Sequence, residues 1–182
     1  MIVVSNSSPL IALARIGKLQ LLATFYERVL IPVEVQHEVT VAGSGLPGAE
    51  EVRKAKWIEV APQKISLHPA LVRACQGLGA GERAAILLAK SLSADLVLLD
   101  DRKARAVAHE ADLAIAGCLG ILEDCSGKGL VPDLRQAYVD LLGQRNPIRH
   151  QAPASESGST WAAKVVREID ACSRWLPLLF DG

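Results

Sequence analysis

The chain has 182 residues, a formal net charge of zero at pH 7, and hydrophobic residues at half of its positions. This length suits one domain with a short extension, and the apolar fraction is sufficient for a buried core. The balanced charge argues against a small, strongly basic nucleic-acid-binding module, but a local basic patch or a metal ion could still attract a nucleic acid.

The cysteines and the N-terminus indicate the compartment. Cys75, Cys118, Cys125 and Cys172 show none of the spacings typical of metal sites. We expect four buried or half-buried thiols in a reducing compartment. The N-terminus has neither the basic region nor the long apolar region of a signal peptide, and no apolar run reaches membrane-spanning length. The sequence therefore predicts a soluble cytoplasmic protein that does not enter a membrane.

Short apolar strands alternate with helices along the first half of the chain. Ser8 followed by Pro9 predicts an N-cap and the first residue of a helix that ends at Gly17. Strands are predicted at 2–5, 29–31 and 57–61, further helices at 19–25, 32–40 and 50–56, and a mobile glycine-rich loop at 41–48.

The same alternation continues through the second half. A glycine-rich turn at 77–81 leads into Glu82, where a largely apolar helix begins. Residues 96–99 are apolar without alternation, which is typical of a strand buried on both faces of a parallel sheet. The remaining predicted elements are helices at 69–75, 82–92, 102–111, 117–127 and 133–142, and a strand at 113–116. This order predicts an α/β fold with a mostly parallel sheet.

Two adjacent acids, Asp100 and Asp101, directly follow the strand at 96–99. The carboxyl end of a buried parallel strand is where α/β sheets place their ligand sites. Two neighbouring like charges cost free energy unless a cation or a basic group compensates them. We therefore predict that a divalent metal ion binds here.

Three further residues could supply oxygen ligands, and each has a structural alternative. Asn6 could form an Asx turn that caps the first helix, and Glu38 could be a solvated helix residue. Glu82 could simply favour the first turn of its helix, and Asp101 could be an N-cap. Together with Asp100, these side chains would point into one crevice. Oxygen ligands suit Mg²⁺ or Mn²⁺ better than zinc, and such a site best supports phosphodiester hydrolysis.

Five segments, in order, carry a family resemblance: VVSNSSPLIALARIG, IPVEVQHEV, GLGAGERAAILLA, LVLLDDRKARAVA and AIAGCLGILEDCSGKGLV. The chain resembles a PIN domain, and within that family the small prokaryotic proteins related to VapC-type toxins. The resemblance implies a three-layer α/β/α fold with a mostly parallel central sheet. It also implies cleavage of RNA with Mg²⁺ or Mn²⁺ and, for many members, a role as the toxin that pairs with an antitoxin protein.

The resemblance places the family's metal-binding quartet at Asn6, Glu38, Glu82 and Asp101, and makes Glu38, Glu82 and Asp101 the catalytic residues. Asp100, next to Asp101, is a fifth candidate ligand from its position alone. Asn6 departs from the aspartate of the general PIN pattern. An asparagine offers a neutral oxygen, so the site loses one negative charge and should bind metal more weakly, although Asp100 could compensate.

Four residues could contact the RNA substrate. Arg102 and Arg105 could bind phosphate as bidentate donors, or could lie on a solvated helix face. Ser7 and Ser8 could contact the substrate or a metal-bound water, or could serve as helix caps.

We predict a PIN-like domain at 1–145, a linker rich in Pro, Ser and Gly at 146–160, and an amphipathic C-terminal helix at 161–182. The apolar stripe of that helix could pack against the domain or against a second subunit in a homo-oligomer. The leading interpretation is a metal-dependent endoribonuclease. The alternatives are a PIN-fold module that binds nucleic acid or protein after losing catalysis, and a structural or regulatory subunit acting through the C-terminal helix.

Overall fold

A computed structural model of the chain describes residues 1–42, 47–61 and 69–145. The chain divides into two units, Met1–Arg145 and Asn146–Gly182. The predicted linker and C-terminal helix lie in the second unit, outside the described residues, so they stay predictions. The same holds for the part of the predicted glycine-rich loop at 43–46.

The described residues form a parallel sheet of five strands in the order β3-β2-β1-β4-β5. The strands are β1 (Val3–Ser5), β2 (Val29–Ile31), β3 (Ile58–Val60), β4 (Leu96–Leu98) and β5 (Ile115–Ala116). Each forms where the sequence has a short apolar run between polar segments, so the α/β class and the parallel sheet are confirmed.

The strand order creates a topological switch point between β1 and β4. The chain proceeds from β1 outward to β2 and β3, and then returns to the other side of β1 for β4 and β5. The two strands pair in register, with Ser5 opposite Leu98. Ligands of open α/β sheets bind at the carboxyl ends of the strands on either side of such a point. Here those ends are Ser5 and Leu98.

Helices surround the sheet in the described part of the chain. They are α1 (Ser7–Arg15), α2 (Gln20–Phe25), α3 (Val33–His37), α4 (Ala49–Lys54), α5 (Pro69–Ala74), α6 (Ala80–Ser91), α7 (Arg102–Glu110), α8 (Cys118–Gly127) and α9 (Leu134–Arg145). A π-helical turn, Glu38–Ala42, continues α3. Of the helices described, none has both the length and the apolar character needed to cross a membrane.

The core lies on both sides of the central strands. α6 packs on β1 and β4 and contacts α3, α5 and α7, whereas α1 contacts α4, α8 and α9. These two groups are the helical layers of a three-layer α/β/α arrangement. Val97, Leu98 and Leu99 are fully buried because helices cover both faces of the sheet there.

Three predicted helix boundaries were wrong. α1 begins at Ser7 rather than at Pro9, so Asn6 instead of Ser8 occupies the N-cap position. Proline is tolerated there because the first N–H groups of a helix have no intrahelical partner. α6 begins at Ala80, two residues before Glu82. The helix after β2 extends to Ala42, into the segment predicted as a loop, because the π-helical turn continues it.

Candidate active site

Asn6 is a buried polar side chain with an unsatisfied oxygen. It directly follows β1 and is only 1 % exposed, and its backbone N–H donates to the carbonyl of Leu98 at 3.3 Å. Its side chain makes no capping hydrogen bond, although it occupies the N-cap position of α1. Its Oδ1 has no hydrogen-bond partner among the residues that the structure describes. Leaving such an acceptor unpaired costs about 1–3 kcal/mol, so Oδ1 is suited to an external ligand.

Glu38 is held beside the end of β1 by two donors. The Ser7 hydroxyl donates to Oε2 at 2.5 Å, and the Gly81 N–H donates to Oε1 at 3.0 Å. The half-buried carboxylate therefore links the first residue of α1 to the first turn of α6. Because Ser7 follows Asn6, these contacts place Glu38 next to the switch point. Glu38 is therefore more than a solvated helix residue.

Glu82 and Asp101 both act as helix caps. The Oε2 atom of Glu82 accepts the N–H of Gly79, the N-cap residue of α6, at 3.0 Å. Oδ1 of the exposed Asp101 accepts the N–H groups of Lys103 and Ala104 at 2.8 and 2.9 Å. Glu82 therefore has the structural role in the first turn of its helix, and Asp101 the N-cap role, that the sequence analysis gave as alternatives to metal binding. One capping oxygen does not exhaust a carboxylate, which has about four lone-pair sites.

Asp100 is half-buried and faces the start of α8. Its Oδ1 accepts the Cys118 N–H at 2.9 Å, and the Cys118 Sγ lies 2.9 Å from Oδ2. A Cβ on Gly117 would lie 2.9 Å from the Asp100 Oδ1 and 2.8 Å from Nη1 of Arg105. A side chain at position 117 would therefore force Asp100 or Arg105 to shift.

The predicted substrate residues differ in their surroundings. Arg105 is half-buried, and its Nη1 donates to the Leu99 carbonyl at 3.2 Å. Arg102 and Ser8 are exposed at the first turns of α7 and α1. Ser7 already donates its hydroxyl hydrogen bond to Glu38. A phosphate could therefore reach Arg102 and Ser8 directly, whereas Arg105 has an intramolecular partner.

Helix N-termini already compensate three of the acids. N–H groups from the first turns of α6, α8 and α7 donate to Glu38, Asp100 and Asp101, respectively. The N-terminus of a helix carries a partial positive charge. The adjacent charges of Asp100 and Asp101 therefore do not require a metal ion. The sequence-based prediction of a metal relied on that requirement, so this part of its physical argument does not hold.

The candidate oxygen ligands are nevertheless of the chemical type that a hard divalent cation prefers. No group of three or more His, Cys, Asp or Glu in the described residues is placed to hold a metal ion. An asparagine amide is outside that set of residue types, and Oδ1 of Asn6 is a buried oxygen without a hydrogen-bond partner among the described residues. Amide and carboxylate oxygens are the ligands that Mg²⁺ and Mn²⁺ prefer. The types of residue present therefore fit such an ion, and Oδ1 of Asn6 is the atom whose missing hydrogen-bond partner the ion would replace.

Sequence reasoning missed Gly81, Gly117 and Cys118. The first supplies a donor to Glu38, and the other two surround Asp100. Gly117 and Cys118 directly follow β5, so their place after a parallel strand was a usable signal. Nothing local in the sequence indicated that Gly81 approaches Glu38.

Polar and acidic side chains lie near the switch point of this parallel α/β sheet, where such sheets bind ligands. A family model described as a PIN domain matches residues 2–151. The chain therefore belongs to the PIN-domain family, whose members generally use divalent metal ions. No curated protein and no solved structure gives a significant match to the chain.

Proposed function

We propose that this protein is an endoribonuclease that uses Mg²⁺ or Mn²⁺ to hydrolyse phosphodiester bonds in RNA. The observation that carries the proposal is the unpaired, buried Oδ1 of Asn6, at the point of the sheet where ligands bind. Membership of the PIN family supports the nuclease class. The VapC-like role as a toxin, paired with an antitoxin protein, rests on the sequence resemblance alone.

We propose that the metal binds to oxygen atoms of Asn6, Glu38, Glu82, Asp100 and Asp101, although no three of these acids are grouped to hold an ion in the described part of the chain. When bound, the ion would stabilise negative charge on the phosphodiester and make water more acidic. Glu38, Glu82 and Asp101 are the proposed catalytic acids. The hydrogen bonds from helix N-termini would hold Glu38, Asp100 and Asp101 in fixed orientations, so that little reorganisation is needed.

Arg102 and Arg105 are the proposed phosphate-binding residues, with Ser7 and Ser8 nearby on the first turn of α1. Arg102 is exposed, so its guanidinium can bind a phosphate in bidentate fashion. Arg105 holds the Leu99 carbonyl with one nitrogen, which leaves its remaining donors for the substrate. RNA is thus held by local positive charge although the chain as a whole is neutral.

The proposal is tested by RNA cleavage with and without Mn²⁺. Glu82→Gln removes the charge but keeps an oxygen that can cap Gly79, so the fold should persist while Mn²⁺-dependent cleavage is abolished. Glu110→Gln is the matched control, because Glu110 is exposed at the far end of α7. Unchanged cleavage by Glu82→Gln would remove Glu82 from the mechanism.

The alternative is a PIN-fold module that binds nucleic acid or protein without cutting it. Asparagine at position 6 and the capping roles of the acids favour it. Calorimetry with Mg²⁺ and Mn²⁺ on the wild type and on Asn6→Asp separates the two. Millimolar or tighter binding by the wild type supports the nuclease. Absence of binding in both proteins supports the binding module, and binding by Asn6→Asp alone indicates a site that asparagine has disabled.

A further inference from the structure

Cys118 contacts both carboxylate oxygens of Asp100. The backbone N–H of Cys118, in the first turn of α8, donates to Oδ1, and its thiol approaches Oδ2, each at 2.9 Å. The thiol is 1 % exposed. A carboxylate that accepts a hydrogen bond at each oxygen cannot rotate freely about its terminal bond. Cys118 therefore fixes the direction in which the remaining lone pairs of Asp100 point.

The thiol acts here as a hydrogen-bond donor. Its Sγ lies 2.9 Å from Oδ2 of Asp100, within hydrogen-bonding distance of that acceptor. The Pro9 carbonyl is a second acceptor near Sγ, at 3.7 Å. The carboxylate is closer and charged, so it is the better acceptor for the single thiol proton.

The backbone at the start of α8 is shaped for this contact. Gly117 is the N-cap residue, and a Cβ there would meet both the Asp100 Oδ1 and the guanidinium of Arg105. The absence of a side chain lets the Cys118 N–H reach Asp100. The contact thus depends on two successive residues of this chain.

An independent observation indicates a ligand-binding position next to Asp100. Asn6, whose buried Oδ1 lacks a partner among the described residues, donates its backbone N–H to Leu98, two residues before Asp100. The unsatisfied amide and the clamped carboxylate therefore follow adjacent paired strands. A divalent cation between them would satisfy the amide oxygen and bind an already oriented carboxylate.

We propose that Cys118 is a positioning residue that holds Asp100 in place to bind a divalent cation together with Asn6. This inference rests on the proposed function, because the cation is the metal of that site. Cys118 does not contact the metal or the RNA in this proposal. It acts by orienting Asp100, as residues that form hydrogen bonds to metal ligands commonly do.

The test measures Mn²⁺ affinity by calorimetry. Cys118→Ala removes the thiol donor and keeps the backbone donor, and it should weaken Mn²⁺ binding by about 10–100-fold, the usual effect of losing a group that orients a metal ligand. Cys118→Ser restores a donor and should recover most of the affinity. Cys125→Ala, which removes a buried thiol from the same helix, is the matched control and should bind Mn²⁺ like the wild type.

A double-mutant cycle separates positioning from a purely structural role. In an Asp100→Asn background, Cys118→Ala should have no further effect on Mn²⁺ affinity, whereas in an Asp101→Asn background it should retain its full effect. A structural role would lower the melting temperature without this selectivity. If the alanine variant does not fold, Cys118→Val, which fills the space without a donor, takes its place.

The two levels of the argument fail in different ways. Wild-type protein that binds Mn²⁺ and cleaves RNA, with Cys118→Ala equal to it in affinity, overturns the positioning role alone. Wild-type protein that binds no Mn²⁺ overturns the proposed function and this inference with it. Weakening by alanine, recovery by serine and dependence on Asp100 together support the proposal.

Discussion

Gly81 approaches the Glu38 carboxylate so closely that a Cβ on Gly81 would lie 2.5 Å from Oε2 and 2.6 Å from Oε1. The two residues are 43 positions apart in the sequence, and the Gly81 N–H donates to Glu38 across that gap. No real side chain tolerates such a contact, so Glu38 keeps its position only because residue 81 has no side chain.

Gly81→Ala should therefore displace Glu38 and weaken Mn²⁺ binding by about 10–100-fold, as expected when a metal ligand is misdirected. Alanine in a helix normally stabilises relative to glycine by about 0.5–1 kcal/mol, and the clash should cancel that gain here. Gly120→Ala, in α8 with no atom within 4 Å of the new Cβ, is the matched control. It should gain stability in urea unfolding and bind Mn²⁺ normally. Equal behaviour of the two variants would contradict the assignment of Glu38.

Ser7→Ala tests the second donor to Glu38. Loss of its 2.5 Å hydrogen bond should cost about 1–3 kcal/mol, towards the lower end because Glu38 is only half-buried. Urea unfolding measures this cost, and RNA cleavage should fall because Glu38 is less well held. Ser91→Ala removes a hydroxyl that donates to the Leu88 carbonyl at the other end of α6. Cleavage should be normal in that control, and an equal loss in both variants would argue against a role for the Ser7–Glu38 contact.

Substitutions of Asp101 separate its capping role from its charge. Asp101→Ala removes the acceptor for the Lys103 and Ala104 N–H groups and should destabilise the protein by about 0.5–2 kcal/mol. Asp101→Asn keeps a good N-cap, so thermal unfolding should change little while Mn²⁺ affinity falls. If Asp101→Asn matches the wild type in both measurements, Asp101 is a helix cap and nothing more.

The buried thiols predict the response to alkaline pH. Burial raises the pKa of Cys75 and Cys125 above the ordinary value of 9.0, and nearby Asp124 adds to the effect at Cys125. The folded state disfavours these thiolates. The contribution of the two protonated thiols to the free energy of unfolding is therefore complete below pH 9.0, and it is lost as the pH rises through their raised pKa values in the folded protein. Urea unfolding between pH 8 and pH 11 measures this, and Cys75→Ala with Cys125→Ala should reduce the slope above pH 9.

Reactivity with a thiol reagent gives a second check on the cysteines. Cys75, Cys118 and Cys125 are buried, as the sequence predicts, whereas Cys172 lies outside the described residues. At pH 8 these three should react slowly in the native protein, and all four cysteines should react at once in guanidinium chloride. Rapid native reaction of all four would contradict their burial.

The local pattern of the sequence was enough to predict the strands and the chemistry at the end of β4. The apolar runs that form the central strands β1 and β4 are largely buried, which is the pattern expected of strands covered on both faces. Asp100 and Asp101 must lie at the carboxyl edge because they directly follow such a run. Boundaries at Ser7 and Ala80 were less predictable, because several residues in a first helical turn are equally able to begin it.

The sequence by itself determined the α/β class, the family and the edge of the sheet at which Asn6, Asp100 and Asp101 lie. Only the tertiary structure decided which donor meets each acid: Gly81 for Glu38, and Cys118 for Asp100. It also decided that the Asn6 side chain makes no capping hydrogen bond and that its Oδ1 has no partner among the described residues. The reason is that these contacts join helix N-termini to residues distant in sequence, and the packing of helices on the sheet, rather than any local spacing, sets which N-terminus arrives where.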